Sequence, residues 1–257
     1  MKSHLLSIFD KTTVTTGSHK RHIGLLEELV ERNYEIILFS PVDFLDKKAN
    51  HIKIPEHRES TIPKVFQTFL SVRKKLQRVK KDFCPDKIII FGFGNLLAGL
   101  YLKRNFDIPL IFAARSNIYE YRKVSISTER NNYHLLSKIK HYAYLKLLNL
   151  ILRFAYKNSD QIVVQNKKDW INLIKEYDLE KEKVKIIPNN LNFVDQNSKK
   201  YISSSSQLKT IIFAGSLSKR KGILYLVEAV RILVEENIDI NLKILGDGAL
   251  RKKIEIF

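Results

Sequence analysis

One cysteine in 257 residues, Cys84, leaves no intrachain disulfide and no cysteine-based zinc site, the usual frameworks of small secreted domains and zinc modules. Nine glycines and six prolines are too few for a collagen-like or low-complexity chain. Long apolar runs are missing as well. The most apolar stretch, 145–156 (LKLLNLILRFAY), is broken by Lys146 and Arg153 and falls short of the ~18 uninterrupted apolar residues of a membrane-spanning helix. Residues 1–10 have too short an apolar core, with no small-residue cleavage site after it, for a secretion signal. A reducing, cytoplasmic setting is expected. Acidic residues are scarce: 27 Asp and Glu stand against 45 Lys and Arg, a net charge of +18. Such an excess attracts phosphate, whether in a nucleic acid, an anionic membrane or a nucleotide, and charge alone does not choose among them.

With 44% hydrophobic and 28% charged residues, the chain has the make-up of a folded protein rather than a disordered one. Strand alternates with helix along it. Residues 4–9 form a short apolar run, 11–18 (KTTVTTGS) a Thr/Gly/Ser loop, and Ile23, Leu26, Leu29 and Val30 share one helical face. A second strand over 34–39 is closed by Ser40-Pro41, and an amphipathic helix follows over 63–82. Pro85-Asp86 opens an apolar strand, 87–91 (KIIIF), and a Gly-rich loop over 92–95 leads into the next helix. Further strands are expected over 109–113, 161–165 and 184–187, with helices over 130–158 and 168–177. Continuous apolar strands separated by helices indicate a parallel sheet covered on both faces. The expected class is α/β, doubly wound.

Residues 195–207 (DQNSKKYISSSSQ) are polar, with four consecutive serines, and read as a linker. Beyond them the pattern restarts: strand 210–214, helix 222–236, strand 241–245, a Gly246-Asp247-Gly248 turn and the first residues of another helix. The expected organisation is a first domain over 1–194, the linker over 195–207, and a second unit over 208–257. Fifty residues are too few for a full core. The second unit is therefore expected either to pack on the first domain or to be the truncated start of a longer one.

Residues 211–229 and 242–251 (LKILGDGALR) resemble the opening of the nucleotide-sugar domain in glycosyltransferase family 4. There a strand ends in a Gly-Arg-x4-Lys-Gly pattern and a second strand ends in Gly-Asp-Gly. The earlier part agrees, with Pro85-Asp86, Ile108-Pro109, 159–166 (SDQIVVQN) and 186–190 (IIPNN) in the matching order. The resemblance covers nearly the whole chain. It implies a GT-B-like fold, in which two Rossmann-like doubly wound domains face each other across a cleft. Here the second is an incomplete β-α-β unit. It also implies a hexosyltransferase-type enzyme, retaining and nucleotide-sugar-dependent, in cell-surface polysaccharide or glycolipid synthesis.

Lys221 precedes Gly222 at the start of a helix, where free amides, the helix dipole and an ammonium group would converge on a diphosphate. The resemblance assigns Lys221 that role; the plainer alternative is a solvated lysine in the run 219–221. Gly215, Ser216, Gly246, Asp247 and Gly248 complete the implied donor loops. Ser216 stands where the family has Arg, exchanging a charge-assisted contact of about 1.5–3 kcal/mol for a neutral hydroxyl. In the first domain Gly17, after Thr16, takes the place of the family's Gly-Gly loop, which approaches the transferred sugar and diphosphate. The resemblance thus counts Gly17 among the donor-binding residues, with an ordinary turn as the alternative. Ser18, His22 and Asn117 fall on the implied acceptor side. Lys20, Arg21 and His22 are consecutive on a helix and cannot all face one cleft. Arg115 holds the place of a catalytic His in many relatives. It either faces the crevice at the strand's carboxyl end or makes a structural ion pair. The family's Glu-x7-Glu motif lies well downstream of the Gly-Asp-Gly turn, so transfer by this stretch alone is expected to be impaired. The alternative is a non-catalytic fragment or partner subunit that binds acceptor or membrane.

Other chemistries are excluded by pattern. Gly92-Phe93-Gly94 is without a correctly placed third glycine, which argues against NAD, and no Gly-x4-Gly-Lys-Ser/Thr loop is present. The seven histidines are scattered, so no metal is expected and no cofactor beyond the nucleotide-sugar donor, a substrate. No nucleic-acid-binding motif accompanies the positive charge. Two basic stretches carry it. Residues 64–81 hold seven Lys or Arg and no acid; 121–157 hold eight against Glu129 alone, interleaved with Tyr133, Tyr142, Tyr144, Phe154 and Tyr156. They read either as solvated helix faces over core aromatics, or as a peripheral anchor on the anionic inner face of the plasma membrane. The expected partners are thus a nucleotide-sugar donor, a glycan or lipid-linked acceptor and an anionic membrane surface.

Overall fold

The computed structural model describes residues 3–12, 17–56, 62–82, 84–114, 118–120, 123, 135–188 and 209–256. The chain divides into two compact units, Met1–Asn190 and Leu191–Phe257. The expected linker over 195–207 lies outside the described residues.

In the first unit seven described strands form one sheet: β1 (His4–Ile8), β2 (Glu35–Ser40), β3 (Asn50–Lys53), β4 (Lys87–Phe91), β5 (Leu110–Ala113), β6 (Gln161–Val164) and β7 (Val184–Ile186). Their order is β3-β2-β1-β4-β5-β6-β7 and every pairing is parallel. The helices are α1 (Gly17–Glu31), α2 (Ile62–Asp82), α3 (Leu96–Phe106), α4 (Leu135–Asn158) and α5 (Lys167–Tyr177). The chain winds outward from β1 to β3, then returns to β4 on the other side of β1. That reversal puts the topological switch at the carboxyl ends of β1 and β4.

Strand alternation explains the layering. Leu6 and Ile8 of β1, Ile37 and Phe39 of β2, and Ile88 and Ile90 of β4 point to a cluster shared with Val72 of α2, Leu102 of α3, Leu152 of α4 and Tyr177 of α5. Their neighbours Leu5, Phe9, Ile36 and Leu38 point the other way, to Ile23 and Leu26 of α1. Each fully buried Leu or Ile contributes about 1.5–3 kcal/mol by leaving water, so the continuous apolar runs of the inner strands are stable only between two helical layers. β3 departs from the sequence expectation, which placed no strand there. As an edge strand it pairs on one side only, so a polar run (NHIK) suffices, with Ile52 opposite Phe39.

Two aspartates secure the amino edge of the sheet. The Asp86 carboxylate accepts from the His4 amide at 2.7 Å, and the Asp86 amide donates to the His4 carbonyl at 2.9 Å. Asp160 repeats the arrangement one strand pair along, accepting from the Leu110 amide at 2.7 Å while its own amide donates to the Leu110 carbonyl at 3.0 Å. The Lys103 ammonium sits 2.7 Å from the same Asp160 oxygen and also donates to the Asn158 carbonyl at 2.9 Å. Lys183 donates to the Lys157 carbonyl at 2.7 Å. The two lysines thus cap the last carbonyls of α4, where the helix dipole favours positive charge. Burial and the nearby Lys103 pull the Lys183 ammonium below the usual lysine value.

The second unit is a β-α-β turn: β8 (Lys209–Ala214) and β9 (Ile240–Leu245), parallel, joined by α6 (Ile223–Glu235), with a short α7 (Arg251–Ile254) after β9. Ile223 and Val227 of α6 are buried with Leu217 against Phe213, Leu242 and Ile244. The opposite sheet face carries Ile212 at 63% and Leu245 at 61% exposure.

Partial burial works against ionisation of Asp160, but the Leu110 amide and the Lys103 ammonium outweigh it and hold the carboxyl below its ordinary value. A folding-lowered pKa stabilises above the unfolded value of about 3.9, and this contribution is lost as pH falls through the folded value. The side chain is 41% exposed, so screening keeps the effect small. Asp160→Ala is expected to cost about 1 kcal/mol near neutral pH. In urea denaturation the difference from the parent should shrink below about pH 4.

Candidate functional site

In a parallel sheet every strand-to-helix loop leaves at the carboxyl edge, so chemistry-bearing loops collect there. In the second unit two such loops interlock. The Gly215 amide donates to the Leu245 carbonyl at 2.9 Å, the Leu217 amide to the Asp247 carbonyl at 2.9 Å, and the Leu250 amide to the Leu217 carbonyl at 3.1 Å. The two backbones run so close that a Cβ on Gly246 would lie 1.9 Å from the Gly215 carbonyl oxygen, and one on Gly248 would lie 2.5 Å from that of Leu217. Both glycines also have positive φ, +151° and +157°. The Gly-Asp-Gly turn is therefore required by the contact itself.

Beyond Leu217, the 3-10 turn Lys219–Lys221 leads to Gly222, which caps α6 with φ 72°. The Lys221 amide donates to the Ser218 carbonyl at 3.0 Å, and its side chain is exposed, two residues before α6 begins. The Tyr225 and Leu226 amides donate to the Gly222 carbonyl at 3.0 and 3.2 Å, and the Ile223 and Leu224 amides before them stand at the positive end of the helix dipole. Ser216 is exposed, with its hydroxyl 3.4 Å from that of Ser218. Asp247 turns its carboxylate to the Gly248 amide at 2.7 Å and faces Arg251 at 3.8 Å. Six of the seven donor-side candidates, all but Gly17, thus fall on two touching loops. With the Asp247 carboxylate engaged by the Gly248 amide and facing Arg251, the start of α6 offers amides and the Lys221 ammonium, an arrangement suited to an anion.

In the first unit the switch point is built around Asn95 and Ser7, which the sequence reading passed over, and the acceptor-side candidate His22. The buried Asn95 donates from Nδ2 to the carbonyls of Ile8 and Phe91, both at 3.0 Å, tying together the ends of β1 and β4. Its Oδ1 is buried and has no hydrogen-bond partner among the described residues. Ser7 donates to the Ile89 carbonyl at 2.8 Å, which leaves its oxygen to accept from His22 Nε2 at 3.0 Å. His22 is 2% exposed and lies against Phe91, ring centroids 3.9 Å apart, and edge-on to Phe9 at 5.2 Å. Of the three consecutive candidates, His22 turns to the sheet and Lys20 to solvent. A lone hydroxyl in an apolar strand, Ser7 in HLLSIF, was the available signal: a buried hydroxyl needs a partner.

Gly17 and Ser18 open α1, while the preceding 13–16 and the candidates Arg115 and Asn117 lie outside the described residues. Ala113 and Ala114, which lead to Arg115, are buried. Two shallow concavities, one at Asn33, Tyr34 and Asn50 and one at Asp160, Glu182 and Lys183, sit at the amino edge of the first unit's sheet.

A seven-stranded parallel sheet with its switch point at β1 and β4, and a second parallel unit with glycine-crossed loops, define the Rossmann-like α/β class of the GT-B glycosyltransferases. Solved structures share the fold. Sucrose-phosphate synthase from Thermosynechococcus elongatus matches with a TM-score of 0.73 at 14% identity, over 99% of this chain and 66% of that one. The Anabaena protein HepE, solved in complex with UDP and glucose, matches at 0.59 and 14%, over 98% and 63%. The chain belongs to Glycosyltransferase Family 4, which matches residues 17–192, and residues 194–256 match Glycosyl transferases group 1. An uncharacterized glycosyltransferase of Methanocaldococcus jannaschii is 29% identical over 193 residues, 70% of this chain. The chain spans 44% of that relative's length.

The loop crossing carries a direct test. Gly246→Ala forces two backbones apart and is expected to cost about 3 kcal/mol or more, against about 1 kcal/mol for Gly92→Ala, which has positive φ but no atom within 4 Å of the new methyl. In hydrogen exchange, only Gly246→Ala should strip protection from the Gly215 and Leu217 amides.

Proposed function

We propose that the protein transfers a sugar, with retention of configuration, from a nucleotide-sugar donor to a glycan or lipid-linked acceptor in cell-surface polysaccharide or glycolipid synthesis. Family membership supports the reaction class, and the interlocked loops of the second unit carry the donor assignment. The diphosphate lies against the start of α6, where the helix amides and Lys221 take up the charge that grows on the departing nucleotide. That stabilisation is already in place before the sugar leaves, so no metal is needed. Gly246 and Gly248 let the backbone lie flat beneath the nucleotide, and Asp247 is anchored to its own turn. Ser216, in place of an arginine, leaves Lys221 with a larger share of the work.

On the first unit the acceptor is assigned to the loop that opens α1, with Gly17 and Ser18, and to Asn117, with Arg115 as the catalytic group. His22 serves this loop from beneath: its ring joins α1 to β1 through Ser7 and holds the helix start in place. The work is done on the cytoplasmic side of a membrane, to which the basic helices hold the protein peripherally. Among the described residues no helix is long and apolar enough to cross a bilayer.

The exposed pair Ile212 and Leu245 favours one second reading, in which a partner subunit covers this face of the second unit and completes the enzyme. A partner that co-purifies with the parent chain and is lost from Leu245→Lys would mark that case.

Incubated with radiolabelled nucleotide sugars and a membrane extract that supplies acceptors, this stretch is expected to incorporate label at an impaired rate, since it holds no Glu-x7-Glu motif after its Gly-Asp-Gly turn. A charge-assisted contact is worth about 1.5–3 kcal/mol, so Lys221→Ala should lower incorporation by roughly tenfold to a hundredfold. EDTA should leave the rate unchanged. Full turnover by Lys221→Ala, or loss of transfer in EDTA with recovery on added divalent cation, would contradict the assignment.

A further inference from the structure

The outer face of α4 is unusual in what it shows to water. Leu148, Leu152, Ala155 and Tyr156 bury one side of the helix in the core of the first unit. On the other side Ile139, Leu147, Leu150 and Phe154 are 46–63% exposed and follow the helical period as a continuous stripe. Lys146, Arg153 and Lys157, spaced seven and four residues apart, run along one flank of that stripe, with Lys140 on the other. Lys146 holds its ammonium 5.2 Å from the centre of the Tyr142 ring, itself 61% exposed. Between residues 135 and 158 there is no Asp or Glu.

Neither half of this pattern serves the fold. An apolar stripe gains nothing from water, and a helix meant only to be solvated would mix acids with its bases. The combination matches a helix lying in the plane of an anionic bilayer, with aliphatic and aromatic side chains among the acyl chains and Lys and Arg at the phosphates. α2 compares poorly: among its described side chains the exposed large apolar residues are Phe66 and Leu70, too few for a stripe. α4 is the crossover between the parallel strands β5 and β6, so it runs toward the amino edge of the sheet, where Asn158 lies just before β6.

We propose that the outer face of α4 is a docking surface for an anionic lipid bilayer, centred on Leu150. The inference rests on the membrane-side reading above and narrows it to one helix face. Docked in this way, α4 lies flat with Ile139, Leu150 and Phe154 below the headgroups. The carboxyl edge that carries the acceptor loop then stands close to the lipid surface, within reach of a lipid-linked acceptor.

Vesicle flotation tests this without donor or acceptor. The parent chain should float with phosphatidylcholine–phosphatidylglycerol vesicles, not with phosphatidylcholine alone, and salt should release it. Leu150→Glu/Phe154→Glu should weaken binding tenfold or more. Lys146→Gln and Arg153→Gln should each weaken it about fivefold, the effect of one cation near the surface. Phe66→Glu on α2 should leave it unchanged. Circular dichroism melts confirm that each variant folds. In a Cys84→Ser background, an environment-sensitive dye on Leu150→Cys should shift to the blue on binding. Anionic binding undiminished by the α4 substitutions overturns the α4 assignment and leaves the membrane-side reading standing. No anionic binding by the parent overturns both. A dimer that Leu150→Glu breaks, seen by light scattering, overturns it in favour of an interface between copies.

Discussion

Every described strand pair in this protein is parallel, and most of the architecture follows from that one constraint. Parallel strands cannot be joined by a tight turn, so each needs a crossover, and the crossovers lay helices over both sheet faces. The hydrogen bonds of the ladder then fix direction: all strands point their carboxyl ends to one edge. The loop opening α1, the Phe91–Gly92 turn, the Gly215 loop and the Gly246 loop all leave from such an edge. The amino edge is left to structural polar groups, and Asp86, Asp160, Lys103 and Lys183 are satisfied there by strand ends and by the last carbonyls of α4.

The carboxyl edges of the two units are assembled by different means. In the second unit the loops touch backbone to backbone, which only glycine at 246 and 248 allows, and α6 therefore starts at a fixed distance from the turn. Little side-chain chemistry is needed to make that corner attractive to an anion; amides, a helix dipole and Lys221 supply it. In the first unit a side chain does the joining. Asn95 binds both strands of the switch, and the Ser7–His22 contact anchors α1 to β1.

Much of this was legible in the residues. KIIIF and QIVV could hardly be anything but buried strands, and Gly-Asp-Gly after LKIL already indicated a close backbone approach. β3 escaped notice because an edge strand pairs on one side only, so NHIK has none of the apolar continuity that marks its neighbours. His22 could not be resolved by spacing. Whether it faces crevice or sheet depends on Ser7, Phe9 and Phe91, which are distant in sequence and adjacent only once β1 and β4 pair. The aromatics of α4 divide in the same way. Tyr156 is fully buried against Phe112 and Tyr177, while Tyr142 and Phe154 face outward, a distinction that depends on which side of the helix meets β5 and β6.

The claim on which the functional account stands is that the corner formed by Gly215, Gly246 and the start of α6 grips a diphosphate. Calorimetric titration with UDP, GDP and ADP, each beside its monophosphate and nucleoside, measures this directly. The account predicts that, for the base that binds, affinity rises sharply from nucleoside to diphosphate, and that Lys221→Ala removes about tenfold or more of the diphosphate's advantage while leaving the nucleoside unaffected. Equal affinity for diphosphate and nucleoside in every series, or a diphosphate preference that survives Lys221→Ala intact, would contradict it.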